Sequence, residues 1–229
     1  MASIAAKLQE TRSRIAAACA EARRPVQSVT LLAVGKTQGP AALREAYAAG
    51  QRAFGENYVQ EALDKVAALA ELRADIEWHL IGPLQANKTR VVAESFDWVH
   101  TVDRLKIAER LSAQRPAALP PLNLCLQVNI SHEESKSGLA PGDVAAVAQA
   151  VAQLPRLRLR GLMAIPRTAL GFDAQRAPHQ ALRELFDRLR AQGLALDTLS
   201  IGMSDDLEAA VAEGATIVRV GSAIFGARV

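Results

Sequence analysis

Apolar residues recur along this chain with two different periods. Over the first two dozen residues the period is helical: Ile4, Leu8, Ile15 and Cys19 share one face, charged residues lie opposite, and the pattern ends near Arg24-Pro25. After Pro25, short β-branched apolar runs take over, at 29–34, around 53–54, and at 76–81, 98–102, 122–130, 157–165, 199–201 and 217–220. Most gaps between them have helical composition: 41–49, 57–73, 87–94, 103–114, 143–153, 174–192 and 206–213. The first run begins at 29 and the last at 217, so seven intervals average about 27 residues, the size of one strand-plus-helix unit. Many runs are apolar on both faces, as parallel strands covered by helices are. Eight such units without a dinucleotide-binding glycine fingerprint predict an α/β fold, a closed (β/α)8 TIM-like barrel with an extra N-terminal helix. The pattern alone leaves an open doubly wound sheet as the alternative. No linker or low-complexity segment divides the chain, the proline-rich patch at 116–121 suits a helix-to-strand loop, and residues 1–229 are expected to form one domain.

Composition narrows the class. Of the 229 residues 50% are hydrophobic and 22% charged, which excludes intrinsic disorder. No run of about 18 apolar residues occurs, so no membrane span is expected, and Lys7, Glu10, Arg12 and Arg14 make the N-terminus a poor secretory signal. Cys19 and Cys125 stand without metal or disulfide spacing. That usage fits a reducing cytoplasm, where the sequons at Asn87 and Asn129 carry no weight. The excess of 27 basic over 24 acidic residues is mild and only 4% of residues are aromatic, so neither nucleic acid nor a stacking platform for it is indicated.

In a barrel of this kind the chemistry sits at the C-terminal ends of the strands. The first strand delivers Lys36. Gly35-Lys36-Thr37 imitates the end of a phosphate-binding P-loop, but Thr30 stands where the first glycine belongs, so an ATPase reading fails. A lysine leaving a buried strand is costly as an ammonium and is a candidate free amine for attack on an aldehyde. The alternative is a rim lysine whose stem packs while its head stays in water. After the seventh run, Gly202-Met203-Ser204-Asp205-Asp206 offers Ser204 or Asp205 as N-cap of a helix starting near Asp206. After the eighth, Gly221-Ser222-Ala223-Ile224-Phe225-Gly226 offers a second small-residue turn with a hydroxyl. Turns after strands seven and eight are where barrel enzymes commonly hold a phosphate.

Arg219 lies between Val218 and Val220, so strand alternation turns it into the barrel, where it needs an anion or an acceptor; a structural pair with a barrel acid is the alternative. An amine, a phosphate cup and an interior arginine together outline one ligand carrying an aldehyde, a phosphate and a polar ring atom. Pyridoxal 5′-phosphate (PLP) meets all three requirements. Elsewhere, His79 reads as a satisfied core histidine, and His100, His132 and His179 lack metal spacing. Asp205, Asp206 and Glu208 read first as helix capping and first-turn charge.

The segments Ala33-Val34-Gly35-Lys36-Thr37, Phe54-Gly55-Glu56-Asn57-Tyr58-Val59-Gln60-Glu61, Trp78-His79-Leu80-Ile81-Gly82-Pro83-Leu84-Gln85, Gln127-Val128-Asn129-Ile130, Ser135-Lys136-Ser137-Gly138, Gly161-Leu162-Met163, Gly202-Met203-Ser204-Asp205-Asp206 and the stretch from Arg219 to Gly226 occur in that order. In these segments the chain resembles the pyridoxal phosphate homeostasis proteins over nearly its whole length. The resemblance implies a monomeric barrel similar to the N-terminal domain of alanine racemase, with PLP held as an internal aldimine on Lys36. It implies further that Ser204, Gly221 and Ser222 hold the phosphate, that Met203 and Asn57 line the ring, and that Arg219 faces the pyridine nitrogen. An arginine there gives the nitrogen no proton, so the ring stays neutral and is a weaker electron sink. The chain departs from the family pattern at Gly35, where a serine is usual, at Gln38-Gly39-Pro40 in place of a lysine-proline turn, and in ending at Val229 without a lysine-rich tail. Lys136 is a candidate second PLP contact, with a solvated loop lysine as the alternative.

Three functions compete at this point. The first is a PLP-binding homeostasis or carrier protein with apo-enzymes as recipients and no robust catalysis of its own. The second is a PLP-dependent amino-acid racemase, which needs an acid/base group on each face of the substrate carbon. The barrel is expected to consume the 229 residues, leaving no second domain to supply that group; Tyr58 alone offers a substitute, Tyr47 falling mid-helix. The third, RNA binding, rests only on a pI near 9.1.

Overall fold

The computed structural model describes residues 2–131, 133 and 137–226; Lys136 and His132 lie outside the described residues. The chain runs α1 (Ile4–Glu21), β1 (Thr30–Val34), α2 (Pro40–Ala48), β2 (Ala53–Glu56), α3 (Val59–Ala68), β3 (Glu77–Leu80), α4 (Thr89–Ser95), β4 (Trp98–Val102), α5 (Leu105–Gln114), β5 (Leu122–Gln127), α6 (Val144–Ala152), β6 (Leu157–Met163), α7 (Phe172–Ala191), β7 (Thr198–Ser200), α8 (Leu207–Ala212), β8 (Ile217–Val220) and α9 (Ser222–Phe225). The strands pair in sequence order, all parallel, and β8 closes on β1 with Leu32 opposite Arg219. The fold is the closed TIM-like barrel that the pattern predicts.

Alternation along the strands sorts the apolar residues into two layers. Leu32, Val34, Ile81, Trp98, Cys125, Met163 and Ile217 fill the barrel. Their neighbours Leu31, Ala33, Val99, Val218 and Val220 face outward and pack on the buried faces of the helices. Val218 and Val220 thus lie outside, and Arg219, 5% exposed, lies inside.

Several boundaries differ from the sequence pattern. The helix expected at 57–73 starts only at Val59, after an extended Tyr58, and beyond Leu69 it tightens into a 3-10 turn at Ala70–Leu72. The turn expected at 221–226 winds into the single helical turn α9. α1 buries Leu8, Thr11, Ile15, Ala18 and Cys19, and Thr11 closes the polar gap in that stripe by returning its hydroxyl to Lys7 O at 2.9 Å. The helix packs on α8 and α9. Just past its end, Arg24 donates to Val211 O and Ala215 O, each at 2.7 Å. The extra N-terminal helix therefore braces the side of the barrel that carries β8 and the turns beside it. Among the described residues no helix is long and apolar enough to cross a membrane.

Candidate functional site

A cavity of about 400 Å³ opens at the C-terminal ends of β1, β7 and β8, within the size range of small-molecule sites. Lys36, Asn57, Met203, Ser204, Arg219, Gly221 and Ser222 all line it, together with Val34, Ile81, Ile165 and Phe225. These seven residues, expected from the sequence to hold the ligand, therefore border one space. A smaller hollow of about 250 Å³ adjoins it across Asn57, Ile81 and Ile165 and is lined further on by Gln127 and Asn129. A wider, more open depression of about 480 Å³ lies at the opposite end of the barrel, among Arg12, Arg52, Asp75 and Glu77, and holds none of the candidate residues.

Lys36 follows β1 by two positions and is half-buried at the edge of the cavity. What is enclosed lies beneath its loop. Glu56 ends β2 and Lys65 sits on the inner face of α3, both buried. Lys65 Nζ donates to Glu56 Oε1 and Oε2 at 2.9 and 2.8 Å and to Gly35 O at 2.7 Å. Burial outweighs the pull of Lys65 and pushes the Glu56 carboxyl up to about 7. A Cβ at Gly35 would lie 2.6 Å from Glu56 Oε1, so glycine here suits the position of this carboxylate and a larger residue requires it to move.

The two turns opposite Lys36 are held from behind. Gly202, at φ +91°, reverses the chain after β7 in a conformation that favours glycine. Asp206, rather than Ser204 or Asp205, stands at the N-cap position of α8, and its side chain makes no capping bond to that helix. Its carboxylate reaches away from the helix on two sides: Oδ1 accepts from Met203 N at 2.6 Å, and Oδ2 accepts from His179 Nε2 at 3.0 Å. Burial raises the Asp206 carboxyl, but these two hydrogen bonds and nearby positive charge outweigh it and leave the group below the usual carboxylate range. Arg14 of α1 donates to Ser204 O at 3.0 Å and pairs with Glu208. Glu208 therefore ties α8 to α1. In the second turn, Ser222 and Ala223 open α9, so their N–H groups have no intrahelical acceptor.

Arg219 forms no ion pair with a carboxylate among the described residues. Its Nη1 donates to Ser200 O and Ser200 Oγ at 2.5 and 2.8 Å, and its Nη2 donates to Ala164 O at 2.9 Å. Burial draws the guanidinium down to about 10, so it keeps its charge at neutral pH. Ser200 Oγ lies 2.8 Å from His100 Nδ1, and His100 Nε2 lies 2.9 Å from His79 Nδ1. Burial holds both imidazoles below their ordinary range, hence neutral. One arrangement of protons satisfies this chain: Ser200 accepts from Arg219 and donates to His100, and His100 donates to His79. The remaining His79 proton then sits on Nε2, 3.7 Å from Glu77 and without a hydrogen-bond partner. His79 is thus a core histidine satisfied on one side only, and the sequence reading missed its role as part of a chain that ends at Arg219. The signal was present: alternation beside the outward Trp78 and Val99 turns His79 and His100 inward.

Neither tyrosine borders the cavity. Tyr47 donates to Asp75 Oδ2 at 2.7 Å, at the far end of the barrel, and Tyr58 is 56% exposed. Asn57 is positioned by a close backbone approach, since a Cβ at Gly82 would fall 2.0 Å from Asn57 O. Its own Oδ1 is buried without a partner. Among the described residues no cluster of potential metal ligands occurs.

Comparison with known proteins places these features in context. A family model described as alanine racemase, N-terminal domain, matches residues 9–229. The chain is similar to a pyridoxal phosphate homeostasis protein of Pseudomonas aeruginosa, with 61% identity over 228 residues that cover 100% of this chain and 97% of that one. The structure of PipY from Synechococcus elongatus with PLP bound superposes with a TM-score of 0.85 at 42% identity, covering 97% of this chain and all of that one. Alanine racemase from Corynebacterium glutamicum, at 18% identity and a TM-score of 0.69, shares the fold over 87% of this chain and 56% of its own.

Proposed function

Since the chain belongs to the pyridoxal phosphate homeostasis proteins, within the group that shares the alanine racemase N-terminal domain, we propose that it binds PLP through Lys36 and holds it for delivery to apo-enzymes. On this reading it acts in the cytoplasm as a monomer of one barrel domain, spanning residues 1–229, and has no robust turnover of its own. The observation that carries the reading is the convergence of an amine, two hydroxyl-bearing turns and a buried cation on one cavity.

The residues present suit this cofactor. Ser204, Ser222 and the amides that open α9 offer donors to a phosphate, and Gly221 lets that turn pack against Val34, where a Cβ would lie 3.2 Å from Val34 O. The unpartnered Asn57 Oδ1 is the kind of orphan acceptor that a ligand satisfies. When bound, PLP supplies an aldehyde that condenses with an amine and a ring that withdraws electrons. Lys36 supplies that amine. Arg219 offers the ring nitrogen a hydrogen bond but not a proton, which keeps the ring a weak electron sink. The placement of both tyrosines away from the cavity also supports a binding role over racemisation, for which two acid/base groups must face the substrate.

The test is direct. Purified protein mixed with PLP is expected to develop an imine absorption band and a borohydride-stable adduct on Lys36, and Lys36→Ala is expected to lose both. A stable adduct on the Lys36→Ala variant overturns the assignment. Racemisation of a common amino acid at about 1 per second or faster would move the protein into the enzyme class.

A further inference from the structure

The segment from Phe54 to Glu61 contributes only Asn57 to the cavity, yet two of its acidic side chains converge on the loop that carries Lys36. Glu61, in the first turn of α3, accepts the N–H of Thr37 at 3.1 Å. Lys65, one turn further along α3, donates to the carbonyl of Gly35 at 2.7 Å while Glu56 occupies its remaining protons. The two peptide groups that flank Lys36 are therefore both gripped by α3. The grip has something to hold. Thr37 sits at φ +65°, a left-handed conformation that is unfavourable for a non-glycine residue, so the loop does not take this shape on intrinsic preference.

Resting on the reading of Lys36 as the PLP-binding amine, we propose that Glu61 and Lys65 are positioning residues, forming a clasp that presents Lys36 to the cofactor. Buried Lys65 and Glu56 form its fixed half. Glu61, with its side chain 41% exposed, forms the half that can be removed without opening the core. The clasp acts on the rate at which Lys36 bonds the cofactor and on how long the bond is kept; it contributes no acid or base to the step.

Glu61→Ala and Glu61→Gln, made in the full chain, separate this role from a general structural one, because the glutamine amide oxygen still accepts from Thr37 N–H. In the protein without PLP, amide exchange at Thr37 is expected to accelerate on the order of tenfold in Glu61→Ala and to stay near wild type in Glu61→Gln, with the melting temperatures alike. With PLP added, borohydride trapping at Lys36 is expected to slow by a similar factor in Glu61→Ala alone. Wild-type exchange and trapping rates in Glu61→Ala overturn the clasp, as does equal loss in both variants alongside a lower melting temperature. A wild-type protein that traps no PLP at Lys36 overturns the underlying cofactor reading instead, while the exchange arm still reports on the loop.

Discussion

Arg219 keeps a charge inside the barrel on the strength of neutral acceptors. Two carbonyls and one hydroxyl accept its hydrogen bonds, and that hydroxyl gives its own hydrogen to His100 in turn, which fixes its orientation. Removing the histidine should therefore be felt at the arginine. In His100→Leu the hydroxyl of Ser200 and Nδ1 of His79 both lose a buried partner, and unsatisfied groups of this kind cost about 1–3 kcal/mol each. A loss of about 2–6 kcal/mol in urea unfolding is expected, together with a shift in the absorption band of bound PLP as the Arg219 guanidinium loses its fixed setting. Unchanged stability and spectrum would show that the chain of hydrogen bonds does not set Arg219. At this scale the sequence was legible in one direction only. Strand periodicity is enough to turn Arg219, His79 and His100 inward, but the contact between His100 and Ser200 joins residues far apart in the chain, and no local spacing announces it. Lys65 left a fainter mark, as a charged residue in line with Ala62 and Leu69 on the buried stripe of α3.

Elements, more than single side chains, hold the two turns across the cavity from Lys36. α7 supplies His179, Asp206 stands at the start of α8, and α1 supplies Arg14, so three helices meet at the segment 203–206. The Asp206 carboxyl lies below its ordinary range in the folded protein, so it binds a proton less readily there than in the unfolded chain. Its contribution is then fully present above the unfolded value of about 3.9 and is lost as pH falls through the lower folded value. Melting temperatures taken from pH 6 down to pH 3 should fall more steeply for the wild type than for Asp206→Asn, which keeps an acceptor for Met203 N–H but has no charge to lose. Parallel curves for the two proteins would remove Asp206 from this account. Element boundaries show where sequence patterns stop being informative. β4 and β8 match their apolar runs at both ends, whereas the cap of α8 fell one or two positions from where Ser204 and Asp205 suggested it. Three successive cap-forming residues are equivalent by type, so local composition does not select among them. The boundary of α3 moved as well: the composition of 57–59 permits helix, while Asn57 bends against the backbone of Gly82 and Tyr58 is extended, so the helix begins only at Val59.

For the molecule as a whole, the position of the cavity decides what holding a cofactor can mean. It opens at the mouth of the barrel beside Ile165 and Met203, which are 38% and 37% exposed, so a ligand bonded to Lys36 would meet solvent on that side. A bond between an amine and an aldehyde is reversible, and a competing amine that reaches it from solvent displaces the lysine. Hydroxylamine added to the loaded protein is accordingly expected to draw off PLP at a rate that rises linearly with hydroxylamine concentration. A rate that levels off would reveal a closed state that must open first, and the open-mouth account would fail. The same geometry bears on delivery. If the barrel hands its cofactor on, a loaded wild-type protein should activate an apo-enzyme faster than an equal concentration of free PLP when both face an excess of a second PLP-binding protein that captures cofactor released into solution, and Lys36→Ala incubated with the same PLP should give no such advantage. Equal activation by wild type and Lys36→Ala would show that the Lys36 bond plays no part in delivery, because only a cofactor passed on from that bond escapes capture in solution.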